Sequence, residues 1–403
     1  MKKTSVLVLG VLAFTAYPST VRPALAGECT ELAKKSVASE TKVRYQQEKI
    51  KKGVDVIEMG GDAKESPVVN AEGTKVLVNG SQWSDKMPPT ELYMKDLTNP
   101  ADMGKRIKKP LLNIFVKGSF APNGDVIACE LEYRFGAIIK TTWDFFQTGE
   151  WEPRGYHSVI SVYRDGEKLA TYDAASFGLP KGTFLEHPRV SPDGKLMTFY
   201  TQSSKDVQGI YVYRFESGTT IKGPQTYYMG NHLYKHPTWG TRPGRKFPSI
   251  FFHEQGEIAE TGEEIARIGY VDIDVVNGEV RFGEPVFVTG KDAKFGQFGS
   301  TYIYDKHPAY HSGLNMVFFH SKDGLTGKKG IGVISLDHPD HDPLFIKLSD
   351  EDEVKYTHAQ HVDVSDRPDS PLYFVARVKG EKKARLLTID FDRLAKLRKE
   401  FEN

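Results

Sequence analysis

The residues in this 403-residue chain best suited to chemistry are its twelve histidines. Neutral imidazole offers a lone pair to a metal, and its proton exchanges near physiological pH. His187, His236, His307 and His358 recur at one place in a repeating pattern, and the first three are each followed by proline. If the repeats close into a ring, these side chains converge on its centre, where four imidazoles can hold a transition metal. His253, His311, His320 and His361 fall nearby in the same register and extend the possible ligand set. A structural reading stands beside this one. An imidazole that bonds backbone between repeats needs only one or two partners. In Tyr356-Thr357-His358-Ala359-Gln360-His361 a glutamine sits among the histidines, so the candidate metal set is His236, His307, His358, Gln360 and His361. Copper is a further reading of so many histidines, against which stands the lack of a dense His-x-His cluster.

Other chemistries lack their residues. No GxSxG, P-loop or GxGxxG is present, which leaves serine hydrolysis, nucleotide transfer and dinucleotide chemistry unsupported. The two cysteines, Cys29 and Cys129, form no CxxC or CxxCH, so zinc-thiolate binding and covalent c-type haem on this chain are excluded. They can pair with each other, or Cys29 with a partner chain. The acidic runs Asp337–Asp342 and Ser349–Glu353 lack the spacing and glycine of a calcium loop and read as solvated turns.

The elements that must position the histidines are short strands. Ser191-Pro192-Asp193-Gly194 is a turn by composition: proline presets φ, aspartate bonds its own backbone, and glycine takes positive φ. LMTFYTQ and GIYVYRF follow with the β-formers of half-buried strands. Ser119–Asp125 before VIACELEY and Ser66–Gly73 before TKVLVNGSQ repeat the grammar, and the segments opening at His236, His307 and His358 continue it. Anchors Gly73, Gly124, Gly194, Gly244 and Gly313 lie 51, 70, 50 and 69 residues apart. A four-stranded propeller blade takes roughly 40 to 50 residues. The expectation is an all-β, six-bladed β-propeller, seven blades being the alternative, with insertions in the long gaps. One insertion, Thr141–Ser158, carries Trp143, Phe145, Phe146, Trp151 and Tyr156. These aromatics either anchor a partner protein or fold back on their own blade. Phe391, Leu394, Leu397 and Phe401 predict a short amphipathic C-terminal helix that packs on the propeller or docks a partner, packing being favoured.

HPRVSPDGKLMTFYTQ resembles the TolB-type propeller repeat, and as architecture the resemblance covers roughly residues 60 to 392. It implies the propeller fold and little about function, because such repeats host scaffolds, peptidase domains and lyases. A His-Pro pair is common in that repeat, which implies a structural role for the imidazoles. The His358–His361 segment looks somewhat like the manganese site of oligogalacturonate lyases. That resemblance implies a metal that polarises a uronate carboxylate while a base takes the adjacent proton. In size, export signal and lack of a haem motif the chain also looks similar to the β subunit of the hydrazine synthase family. That likeness implies a cofactor-free subunit in the anammoxosome, with multihaem cytochromes as partners that carry the chemistry.

The N-terminus reads as an export signal: Lys2 and Lys3, the apolar run Ser5–Ala16, and the small-x-small site Ala24-Leu25-Ala26. Cleavage starts the chain at Gly27, and Gly27 and Glu28 separate Cys29 from the position an acyl anchor needs. The expected product is exported, to the periplasm or an equivalent compartment, without a membrane anchor. Losing Lys2, Lys3 and Arg22 from 54 basic residues leaves 51 against 53 acidic ones, so no basic excess draws nucleic acid. The expected domains are residues 1–26 as signal peptide, 27–60 as N-terminal arm, 61–392 as propeller and 393–403 as C-terminal helix.

Overall fold

A computed structural model describes residues 47–49, 54–59, 62–81, 91–108, 113–133, 156–202, 206–216, 218–223, 225–257, 264–290, 304–322, 329–347, 356–378 and 384–402. All lie in one compact unit, Val43–Asn403. The export signal and Cys29 fall outside them, as do the acidic run 349–353 and the aromatics Trp143, Phe145, Phe146 and Trp151.

The strands form six antiparallel sheets in sequence order, a six-bladed β-propeller. Blade 1 opens on its inner strand Asp62–Val69, blade 2 on Ile114–Phe120 and blade 3 on Phe184–Val190. Blade 4 opens on Tyr234–Gly240, blade 5 on Asp305–His311 and blade 6 on Tyr356–Asp363. Six blades decide the alternative left by the uneven glycine spacing. The first long gap holds the 134–155 segment within blade 2. The second holds the 13-residue strand Glu264–Val276 of blade 4 and the stretch before blade 5.

Two short strands ahead of blade 1 tie the ring together. Val54–Ile57 pairs with Ala384–Ile389 as the outer strand of blade 6, so residues from both ends of the propeller share one sheet. Gln47–Lys49 runs parallel to Leu344–Lys347 at the edge of blade 5. The turn glycines do what their composition implies at Gly194, where φ is +71°. Gly313 is different: a Cβ there would lie 1.9 Å from the Pro368 carbonyl oxygen, and Asn315 takes the positive φ instead. That glycine marks a close approach of two blades.

The core is divided among blade interfaces, as repeat stacking requires. The C-terminal helix Phe391–Glu400 is capped by Asp390, whose side chain accepts from the Arg393 backbone N–H at 3.0 Å. Its Leu394 and Leu397, with Phe401 just beyond, are buried in the cluster that joins blades 5 and 6. Packing on the propeller is therefore the role this helix fills. No helix among the described residues is long and apolar enough to cross a membrane.

Cys129 is a free thiol on the second strand of blade 2, fully buried, donating to the Leu185 carbonyl at 2.8 Å. Burial raises its pKa far above the ordinary thiol range. A buried, protonated thiol is inert. In a Cys29→Ser variant, a colourimetric thiol reagent should titrate about no thiol in native protein and about one after denaturation. Rapid labelling of the native variant would contradict this burial.

Candidate functional site: the central channel

Each inner strand breaks its pairing register near its middle: after Glu65, Phe115, Glu186, Lys235, Lys306 and Gln360. In five blades one residue at the break takes a left-handed backbone: Ser66, His187, His236, His307 and His361, with φ between +49° and +54°. Proline follows the first four and denies them the right-handed helical conformation. A left-handed conformation at a non-glycine residue carries strain that the surrounding fold must hold. Here it carries five side chains to one place, and Lys117 of blade 2 joins them.

The imidazoles form a continuous row, stacked at its middle with an interplanar angle of 24° and tilted by 32° and 50° at its ends. Ring centroids lie 4.0 Å apart from His187 to His236, 4.1 Å from His236 to His307, and 4.1 Å from His307 to His361. Ser66 Oγ continues the line at 3.1 Å from His361 Nδ1 and accepts from the Lys117 ammonium. His253 supports the stack from the second strand of blade 4, edge-on to His236, with its Nδ1 accepting from the His307 backbone N–H at 3.3 Å. The repeat imidazoles of His187, His236 and His307 meet one another, and it is His253, outside the His-Pro set, that bonds backbone between blades.

Burial holds His236, His253 and His307 well below the ordinary imidazole range, and nearby imidazoles and lysines add to it. His187 is lowered too, again by burial first, with Glu186 pulling the other way. These imidazoles are neutral at neutral pH, and each keeps a lone pair. Among the described residues, His187 Nε2, His236 Nδ1 and His253 Nε2 are buried without a hydrogen-bond partner. Glu186, His187 and His236 each place one donor atom within 4.8 Å of the others.

Of the sequence-derived set, the structure brings together His236, His307 and His361. His358 and Gln360 lie on the same inner strand as His361, and their side chains fall outside the described residues. The repeat-equivalent histidine of blade 6 is His361, not His358. The strand has a second irregularity, between Thr357 and Gln360, which adds one residue before the break at His361. His320 stacks at 6.2 Å from His307, while His311 binds the Ser370 carbonyl away from the stack at 2.9 Å. Tyr156 begins the third strand of blade 2, half-buried, with its ring 5.5 Å from Phe184 of the neighbouring blade. Sequence reasoning missed Ser66, Lys117 and Glu186 as channel residues. Ser66-Pro67 carried the same X-Pro signal as the histidines, and Glu186 adjoins one of them.

Below the stack, the same strands cross-brace the blades. Asp363 accepts from the Val69 N–H at 2.7 Å and meets Arg189 at 3.4 Å, and Trp239 Nε1 donates to the Arg189 carbonyl at 2.8 Å. Burial outweighs Arg189 and raises the Asp363 pKa.

The chain is a six-bladed propeller with an imidazole-lined channel. No protein-family model matches the sequence, and no curated protein matches it. Solved structures with similar folds include hydrazine synthase of Kuenenia stuttgartiensis, at 10% identity and TM-score 0.47, over 85% of this chain and 81% of that one. Sialidase of Trypanosoma rangeli is similar at 9% identity and TM-score 0.50, over 87% of this chain and 61% of the sialidase. Oligogalacturonate lyase of Vibrio parahaemolyticus is similar at 10% identity and TM-score 0.43, over 82% and 78%. At such identities the likeness is one of propeller architecture.

Proposed function

We propose that this chain is a non-catalytic recognition and assembly subunit of an exported protein complex, with a multihaem cytochrome as its partner, in the periplasm or the anammoxosome. The supporting observation is how little room the channel leaves. The cavity beside the imidazoles is about 30 Å³, and the one at Arg189 and Asp363 about 60 Å³. Sites that enclose an organic ligand run to roughly 300–1,000 Å³. With so little room left among the described channel residues, recognition falls to the blade faces and the segments between strands. Trp143, Phe145, Phe146 and Trp151 fall in the 134–155 stretch of blade 2, outside the described residues, and Tyr156 follows it. Buried aromatic anchors dominate interface energetics. The full chain, tagged and purified from its native host, should co-purify with a haem-bearing chain in fixed ratio, and Trp143→Ala with Trp151→Ala should release it. Recovery of monomer alone, without haem absorbance, overturns the proposal.

A second reading is favoured by the Glu186–His187–His236 donors beside His307 and His361. It is a metal-dependent uronate lyase with manganese or copper among the channel histidines, His358 and Gln360 included. Purified protein with manganese and oligogalacturonate should then generate the ultraviolet absorbance of an unsaturated uronate. No absorbance change with any divalent metal ends that reading.

A further inference from the structure

We infer that Glu186, His187 and His236 form a binding site for a divalent transition-metal ion of the zinc, nickel and cobalt class, which joins blade 3 to blade 4. The inference needs neither functional reading. It asks only that the ion bind.

The three donors come from two adjacent inner strands at the same break in register. Their mutual separations, all within 4.8 Å, allow an ion to lie no more than about 2.8 Å from each, and small side-chain rotations close that to the ~2.0–2.1 Å of a zinc–nitrogen bond. Two of the four nitrogens involved, Nε2 of His187 and Nδ1 of His236, are buried with no hydrogen-bond partner among the described residues, and Nδ1 of His187 faces the Glu186 carboxylate at 3.3 Å. A buried polar atom without a partner is unfavourable by about 1–3 kcal/mol. A metal bond removes that penalty for at least one nitrogen on each ring. The left-handed backbones of His187 (φ +51°) and His236 (φ +49°) hold both rings in place before any ion arrives.

The donor set selects the metal. Two imidazoles and one carboxylate suit zinc, nickel, cobalt and copper, whereas magnesium and calcium need an oxygen cage. Glu186 supplies a negative charge to offset the ion, and in the metal-free protein it lies 3.3 Å from His187 Nδ1. Lys117 faces the same channel and opposes a cation, but its ammonium is directed to Ser66 at the far end of the stack. His187 and His236 border the 30 Å³ cavity of the channel, which has room for a water beside them.

The competing explanation is surface binding at His338 and His341, two histidines with ring centroids 5.4 Å apart. Calorimetry with Zn²⁺ on chelator-stripped full chain separates the two. We expect one Zn²⁺ per chain with micromolar or tighter affinity, and Co²⁺ should give the visible absorption of a tetrahedral nitrogen–oxygen site. Each of His187→Ala, His236→Ala and Glu186→Gln should weaken binding by about 10- to 100-fold. His338→Ala with His341→Ala should leave binding unchanged. Glu186→Gln keeps the shape of its side chain and serves where a histidine variant does not fold. In wild-type protein, Zn²⁺ should also raise the thermal midpoint. No binding by the wild type, unaltered binding by Glu186→Gln, or loss of binding in the His338/His341 variant overturns the assignment.

Discussion

Leu394→Asp is expected to lift the C-terminal helix off the propeller and to destabilise the fold by about 4 kcal/mol. Leu394 is fully buried, in a cluster that includes Leu314, Met316 and Phe318 of blade 5 and Leu372 and Phe374 of blade 6. A carboxylate there has no partner and must leave for water, taking the helix with it. Arg398 then loses its 3.0 Å contact with Asp337, and that exposed pair contributes little. Leu394→Ala is the milder test, since truncating a buried leucine costs about 2–5 kcal/mol by lost transfer energy and cavity. The urea midpoint should fall in both variants. In the aspartate variant, hydrogen exchange should accelerate first in blades 5 and 6, with blade 3 still protected. A midpoint within error of wild type would falsify the packing role of the helix.

The helix was legible because its apolar residues repeat at three and four, and a helix can bury only one such face. The blades were legible for a related reason. Ser-Pro-Asp-Gly and its relatives set turns locally, and alternating β-formers set strands locally. What sequence could not fix was register within a strand. His358 and His361 both stand in one inner strand, and spacing from the earlier repeats chose His358. The break between Gln360 and Asp363 instead puts His361 at positive φ in the stack. A bulge changes the count of residues without changing composition, so nothing in the pattern announces it. The same applies to Ser66 and Lys117, whose place in the channel depends on which blade they open rather than on their chemistry.

The channel also shows why equivalent positions in a repeat need not share one role. Three imidazoles of the stack follow the same His-Pro grammar, yet only His187 has a carboxylate in the preceding position. Lys235 and Lys306 occupy that position before His236 and His307. Among the stacked imidazoles, a carboxylate in that position thus stands at one junction, blade 3 to blade 4; in blade 1 the equivalent Glu65 precedes Ser66, which offers no imidazole. Glutamine in the same place before His361 gives blade 6 no charge of its own. This asymmetry makes a single ion per chain the expected stoichiometry.

Arg267→Ala should be among the most damaging truncations outside the channel, at about 3–5 kcal/mol near neutral pH. Arg267 and Glu254 form a buried ion pair at 2.6 Å in blade 4, with side chains 5% and 1% exposed. The guanidinium also lies over the Phe287 ring, 3.6 Å from its centroid, and donates to the Gly290 carbonyl at 3.1 Å. Removing it leaves Glu254 buried with, among the described residues, Asn231 at 3.3 Å. Even in the intact pair, burial outweighs the guanidinium and raises the Glu254 pKa. A carboxyl with a raised folded-state pKa favours folding below its unfolded value of about 4.3, and that contribution is lost as pH rises through the folded value. Without Arg267 the folded value rises further, so the cost of ionising Glu254 grows with pH. The variant's deficit should therefore be largest at pH 8 and shrink towards pH 4, where lost contacts such as those to Phe287 and Gly290 remain. Glu254→Gln with Arg267→Met removes both charges and should recover most of the loss. Urea unfolding of the single and double variants across this pH range tests each part. A deficit that is flat with pH, or that the double variant leaves uncorrected, would show that Arg267 acts through packing rather than by compensating Glu254.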